Sequence, residues 1–249
     1  MKKYNLATLV VTVIASAFWF TACQDEDIDG VIRPTTYGQG ITGKPGTGGT
    51  VSIGNGLYGL SKVDWTKEWW KYVMSFDCAR TPLNQSGVGT APKQIGKVVF
   101  LAPGAGFSTT NVEITSNQVL LVPIINELGT YPCAALGKPK RGQTIEQFLK
   151  SKVGVTIDQA TNVKVDFDLE RIEITDQNRI ATNLFNFKGN KDLARCIDPC
   201  VTGQVQSAVS DGYWLFFENL TPGKHILTIH SEILATGEVE DVTYKIFVL

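Results

Sequence analysis

Imidazole is scarce in this chain: His225 and His230 are the only histidines among 249 residues. A nucleophilic triad therefore has two candidate bases, and no G-x-S-x-G elbow accompanies them. Five positions apart on a strand, the two rings point to opposite faces and cannot jointly hold a metal from that strand. His225 reads as a hydrogen-bonded structural histidine. An excess of positive charge is missing too. With 23 Lys and Arg against 24 Asp and Glu, the net charge is -1, which offers no footprint for nucleic acid. No second cysteine pair follows Cys196 and Cys200 at zinc-finger spacing, so neither a metal nor any other cofactor is expected. No internal repeat occurs. The apolar run at 6–20 falls short of the roughly 20 residues that a membrane-spanning helix needs.

What is present begins with an address. Met1-Lys2-Lys3 is a positive n-region, and the apolar run behind it matches the h-region of a secretory signal. The run ends in Phe20-Thr21-Ala22-Cys23, which resembles the lipobox of bacterial lipoproteins, with Phe20 standing where that pattern usually has Leu. The resemblance implies cleavage after residue 22 and lipidation of Cys23. Cleavage there would remove two of the 23 basic residues and none of the 24 acidic ones, taking the chain from -1 to -3. Acyl chains contribute roughly 0.8 kcal/mol per buried methylene, so a multiply acylated cysteine anchors durably. The acidic stretch Gln24-Asp25-Glu26-Asp27-Ile28-Asp29 resembles the surface-export signal of some Gram-negative lipoproteins. The expected location is the outer membrane, displayed outward, with a periplasm-facing orientation as the alternative.

Residues 23–60 read as a lipidated flexible tether, rich in Gly, Thr and Pro. Some 40 residues of random coil span roughly 35 Å, enough to hold a domain clear of a membrane. The stretch GQGITGK at 38–44 imitates a phosphate-binding loop. Pro45 stands where that motif needs Ser or Thr to reach magnesium, and no strand precedes it.

The full chain is 43 % apolar and 19 % charged, an ordinary globular composition, so residues 61–249 can bury one sizeable core. Asp64 is the expected N-cap of a helix running to about Phe76. Trp65, Trp69, Val73 and Phe76 share one of its faces, which packs on a sheet unless the tryptophans form a sugar-stacking platform. Thr144 and Gln147 have capping-box spacing for a second helix, and Gly154 is placed to end it. Strands account for most of the remainder. Residues 97–102 and 119–125 are apolar runs of buried central strands, with Pro123 confined to a bulge or unpaired position. Residues 112–115 are expected to form a hairpin with the second run through Ser116-Asn117. Residues 162–174 alternate, with Val163, Val165, Phe167 and Leu169 opposite Lys164, Asp166, Asp168 and Glu170. Strands at 213–218, 225–230 and 242–249 complete a mainly β fold: an antiparallel β-sandwich with two packed helices.

Gln94, Phe100-Leu101-Ala102, Pro123-Ile124-Ile125-Asn126-Glu127, Asp211-Gly212-Tyr213 and Pro222-Gly223-Lys224-His225 resemble landmarks of a family of exported bacterial proteins of uncharacterised activity. The resemblance covers roughly residues 65–249 and implies one domain. It brings no activity with it.

Cys78, Cys133, Cys196 and Cys200 are disulfide candidates in an oxidising compartment. Of the three connectivities, Cys78–Cys133 with Cys196–Cys200 is expected, because Pro199 and the short spacing favour a tight loop. Carboxylates are the one enzymatic idea that survives. Asp166, Asp168 and Glu170 read as a solvated strand face. Asn126 and Glu127 end a buried strand, where a polar pair is well placed to line a cleft, so they are the candidate ligand site. The expected function is a surface binding or interaction module for a glycan or protein, joined to the membrane through its lipid. The alternative is a glycan-directed hydrolase of the cell envelope that pairs Glu127 with a second carboxylate.

Overall fold

The computed structural model describes residues 50–51, 56–83, 93–103, 106–234 and 237–249. The signal segment, Cys23, the acidic run at 25–29 and the loop imitation at 38–44 lie outside the described residues.

In chain order the elements are β1 (Thr50–Val51), β2 (Gly56–Leu57), β3 (Leu60–Ser61), α1 (Lys62–Val73), β4 (Lys93–Ile95), β5 (Val98–Phe100), β6 (Phe107–Ile114), β7 (Val119–Tyr131), α2 (Ile145–Ile157), β8 (Ala160–Phe167), β9 (Glu170–Ile172), β10 (Phe185–Lys188), β11 (Val205–Glu218), β12 (Gly223–Ile233) and β13 (Glu238–Val248). One sheet runs β1-β11-β7-β5-β4, with β10 also on β11; the other runs β6-β13-β12-β8-β9. Pairing is mainly antiparallel, with β5–β7 and β13–β6 parallel. The fold is a mainly β sandwich-like arrangement with two helices. Because β1 pairs with β11 at Phe217 and Glu218, the folded part reaches back beyond residue 60.

The first sheet is covered on both faces, which is why β7 and β11 are buried along most of their length. Leu120, Val122, Leu215 and Phe217 face the second sheet, meeting Val165, Leu227, Val242 and Tyr244. Leu121, Trp214 and Phe216 face the other way, against Trp65, Trp69 and Trp70 of α1. All three α1 tryptophans are buried and donate their indole N–H: Trp65 to the Leu57 carbonyl at 2.8 Å, Trp69 to the Leu101 carbonyl at 2.6 Å, and Trp70 to Ser210 Oγ at 2.6 Å. Burial of such a side chain is worth roughly 1.5–3 kcal/mol, so these rings pack and present no stacking platform. Ser61, still extended, is the true N-cap. Its Oγ accepts from the Asp64 N–H at 3.1 Å, so Asp64 sits in the first turn and the helix ends at Val73 rather than Phe76.

Helix α2 has the expected capping box of Thr144 and Gln147 but runs through Gly154 to Ile157. It lies against the sheet at Gly129, where an added Cβ would come within 2.9 Å of Val153 Cγ1.

Four other expectations meet the structure as follows. Pro123 does lie at a bulge: Tyr213 pairs with Ile125 and Trp214 with Pro123, leaving Ile124 over. The hairpin through Ser116-Asn117 is absent; β6 pairs with β13 in one sheet while β7 joins the other, so the turn at 115–118 crosses between sheets. β6 alternates buried and exposed residues and lies at the edge of its sheet with one solvated face, whereas β7 is buried along most of its length in the sheet covered on both sides. The alternation from 162 onwards stops at Phe167. Asp168 and Leu169 adopt positive φ (51° and 69°) in a two-residue turn, so Asp166, Asp168 and Glu170 do not share one face.

Finally, the disulfides are Cys78–Cys196 and Cys133–Cys200, not the expected pairs. Asp192 Oδ2 accepts from the Cys78 N–H at 3.0 Å, which docks the 3-10 helix Lys191–Arg195, and hence Cys196, beside Cys78. Gln206 Nε2 donates to the carbonyls of Pro132 (3.2 Å) and Cys200 (2.8 Å), holding Cys200 beside Cys133. Two disulfides fit an extracytoplasmic compartment. Among the described residues, no helix is long and apolar enough to cross a membrane.

Candidate functional site

Strand β5 accompanies β7 only as far as the Phe100–Leu121 pair. Past the Ile124 bulge no other described strand lies on that side, and the chain there reads Ile125-Asn126-Glu127-Leu128. Ile125 packs in the inter-sheet core and Leu128 against the α1 cluster. Strand alternation therefore aims Glu127 toward the second sheet and Asn126 toward the α1 side. A cleft of about 350 Å³ wraps this edge and is lined by Asn126 and Glu127. Its walls come from Trp70 of α1 and Met74 just after it, Ser231 and Ile233 of β12, Glu238 and Glu240 of β13, and Ile197-Asp198 beside the disulfides.

One glycine shapes the site. Gly212 on β11 is directly opposite Asn126. A Cβ at Gly212 would stand 2.5 Å from Asn126 Cβ and 2.6 Å from the Ile125 carbonyl oxygen. Only glycine lets the two strands pass this closely.

The cleft is electrostatically one-sided. None of its described lining residues is Lys, Arg or His. Burial, reinforced by Glu238 and Asp198, pushes the Glu127 carboxyl up to about 7. Burial and Glu238 do the same to Glu240, also to about 7. Burial raises Asp198, partly offset by the Cys200 N–H that it accepts at 2.8 Å. Beside them Ser231 is 1 % exposed, and its Oγ has no hydrogen-bond partner. Tyr244, four residues along β13 from Glu240 and on the same side, buries its hydroxyl without a partner; burial and Glu240 push its ionisation up.

The remaining candidates are dispersed. His225 is buried, with Nδ1 2.7 Å from Asp168 Oδ2 and Nε2 2.8 Å from the Thr221 carbonyl. Asp168 Oδ1 also accepts from the Ile226 N–H at 2.8 Å, so this carboxylate ties the β8–β9 turn to β12. His230 points outward to Asp241 at 2.7 Å and Glu232 at 3.2 Å. The histidines thus do occupy opposite faces of β12. Asp166 pairs with Arg171 at 2.6 Å. Among the described residues, no group of three or more His, Cys, Asp or Glu side chains is placed to hold a metal ion.

The sequence alone points to Asn126 and Glu127 but not to Asp198, Ser231, Glu238 or Glu240. A signal for the last two existed. Glu238, Glu240, Val242, Tyr244, Ile246 and Val248 alternate on one side of β13, so two acids begin an inward-facing row.

No family model matches the chain, and no curated protein matches it. One chain in the solved structure of PbICP-C in complex with falcipain-2 is similar over 62 % of this chain and all of its own, at 10 % identity and a TM-score of 0.23. That score is too low to establish a shared fold.

Proposed function

We propose that this protein is a cell-envelope binding module, anchored by a lipid on Cys23, whose ligand enters the cleft at Asn126 and Glu127. The observation that carries the reading is the cleft itself. It is walled by two sheets, a helix and a disulfide-fixed loop, and its half-buried carboxyls Glu127, Asp198 and Glu240 have no cation among the described lining. Beside them the Ser231 hydroxyl is buried without a partner; such a group costs about 1–3 kcal/mol, an expense a fold retains where function uses it. The two disulfides agree with export, and the FTAC segment supplies the anchor. Outer-membrane attachment and outward display belong to the same proposal.

The hydrolase alternative is weaker for a chemical reason. A retaining or inverting glycosidase keeps one carboxyl protonated and the other ionised by giving them contrasting environments. Glu127 and Glu240 are pushed the same way, to about 7.

The test is to soak crystals of the mature, oxidised protein with a fragment library that includes muropeptides and short peptides. Saturable occupancy of the cleft, lost in Glu127→Gln, is expected. Occupancy confined to other surfaces overturns the reading. Turnover of nitrophenyl glycosides that vanishes in Glu127→Gln would transfer the site to the hydrolase.

A further inference from the structure

We infer that the ligand of this cleft is a small organic cation, a protonated amine or guanidinium on an apolar stem, with Glu127 and Glu240 as counter-charges and Ser231 Oγ as a hydrogen-bond acceptor. The inference rests on the binding reading above and names its ligand class.

Three observations converge. The first is charge. Acids enter the cleft from three parts of the fold: Glu127 from β7, Glu238 and Glu240 from β13, and Asp198 from the loop after the Lys191–Arg195 helix. From α1 and its C-cap come Trp70 and Met74, which carry no charge, and no described Lys, Arg or His contributes to the lining. An anionic ligand would meet repulsion from every charged group there. A neutral one would further desolvate Glu127 and Glu240 without bringing a counter-charge.

The second observation is Ser231, which is independent of the acids. Ser231 lines the cleft, and its hydroxyl is buried and unpartnered. Buried polar atoms are nearly always hydrogen-bonded, so an exception at a cleft wall points to a missing partner. The local backbone explains how it got there. Opposite Ser231, β8 carries a bulge: His230 pairs with Lys164 and Glu232 with Thr161. Asn162, in that bulge, has φ 52°, and its amide donates to Glu232 Oε1 at 2.8 Å. The outward neighbours of Ser231 are therefore fully engaged, while Ser231 itself faces in beside Glu240, its cross-strand partner.

The third observation is size and wall chemistry. At about 350 Å³, the cleft lies near the lower end of the roughly 300–1,000 Å³ typical of small-molecule sites. It suits one small molecule or one side chain. Trp70, Met74, Ile125 and Ile233 supply apolar surface for a stem. A bare metal ion is disfavoured by geometry, since among the described residues the acids do not converge as a ligand set.

The experiment is isothermal calorimetry on the mature, oxidised protein with four probes: the N-acetyl methylamides of lysine, arginine, norleucine and glutamate. Lysine or arginine should bind at least tenfold more tightly than norleucine at pH 7.5, and glutamate should not bind. Their relative affinities distinguish amine from guanidinium. Cation affinity should fall at least tenfold at pH 5, where Glu127 and Glu240 are protonated. At pH 7 binding should release protons, read from buffers of different ionisation enthalpy. Glu240→Gln should weaken cation binding at least tenfold. Ser231→Ala should weaken it severalfold with an unchanged melting temperature, because its hydroxyl has no protein partner to lose. Equal binding of norleucine and lysine, or affinity indifferent to both pH and Glu240→Gln, overturns the inference. If soaks show a neutral or acidic fragment saturating the cleft, the cationic ligand is wrong and the binding site stands. If nothing saturates the cleft, both fall.

Discussion

Gly212 faces Asn126 across the β7–β11 ladder, with no room for a methyl group between them. Both belong to the short segments that carried the resemblance to exported bacterial proteins, and they turn out to be a single packing unit. Gly212→Ala forces a side chain against backbone atoms of Ile125 and Asn126. Overpacking of this kind costs about 1–3 kcal/mol, and the strain falls on the strand that presents Glu127. The expected result is a lower urea midpoint together with altered NMR shifts at Asn126 and Glu127. An unchanged midpoint would show that the strands can spread at no cost.

Arg179 holds three elements together. Its Nε and Nη2 donate to Asp211 at 3.0 and 2.6 Å, and its Nη1 to Asp158 at the end of α2 at 2.6 Å. The Asp211 side chain is only 7 % exposed. Arg179→Ala leaves that carboxylate buried and unpaired, an expected loss of about 3–5 kcal/mol. Lysine cannot reproduce the two-pronged contact, so Arg179→Lys should recover only part. Denaturant titration of both variants decides this, and full rescue by lysine would remove the role of the fork.

Glu127 and Glu240 make stability depend on pH with a definite sign. Each carboxyl is raised from an ordinary 4.5 to about 7 in the fold. Below about 4.5 it is protonated in both folded and unfolded chains and costs nothing. Between 4.5 and 7 the unfolded chain ionises first, so stability falls as pH rises, and the loss is complete above 7. Glu127→Gln should accordingly stabilise the protein at pH 8, by roughly 1–2 kcal/mol after discounting for partial solvent access. At pH 4 it should do nothing. His230 adds its own decline: its hydrogen bond to Asp241 raises its ionisation, so its contribution is lost as pH climbs through that raised value. Comparing the variant with the parent at each pH cancels this histidine. A Glu127→Gln protein less stable at pH 8 would contradict the burial argument.

The Cys78–Cys196 bridge closes a separation of 118 residues and Cys133–Cys200 one of 67. Non-reducing peptide mapping should recover these two linked pairs. Cys78→Ser should lower stability by about 2–5 kcal/mol. Recovery of a Cys196–Cys200 peptide would restore the pairing first expected from spacing.

The sequence by itself determined the elements whose signals are local. The capping box at Thr144 needs only residues three apart. Pro123 cannot donate to a ladder, so a bulge beside it was readable from one residue. The opposite orientation of His225 and His230 follows from strand period alone. The apolar run at 119–125 followed by Asn126-Glu127 announced a polar pair beside a core, although the strand does not end there as expected but continues to Tyr131. What the sequence could not decide was which distant segments meet. Which cysteines pair depends on where Asp192 and Gln206 draw the loop at 196–200. Whether 112–115 pairs with 119–125 depends on which sheet each joins. The acids Glu238, Glu240 and Asp198 come to Glu127 from 71 or more residues away, and Ser231 from further than Glu127's whole strand. Those meetings are fixed by burying the apolar faces of two sheets and α1 together, a global balance to which no single stretch of chain holds the key.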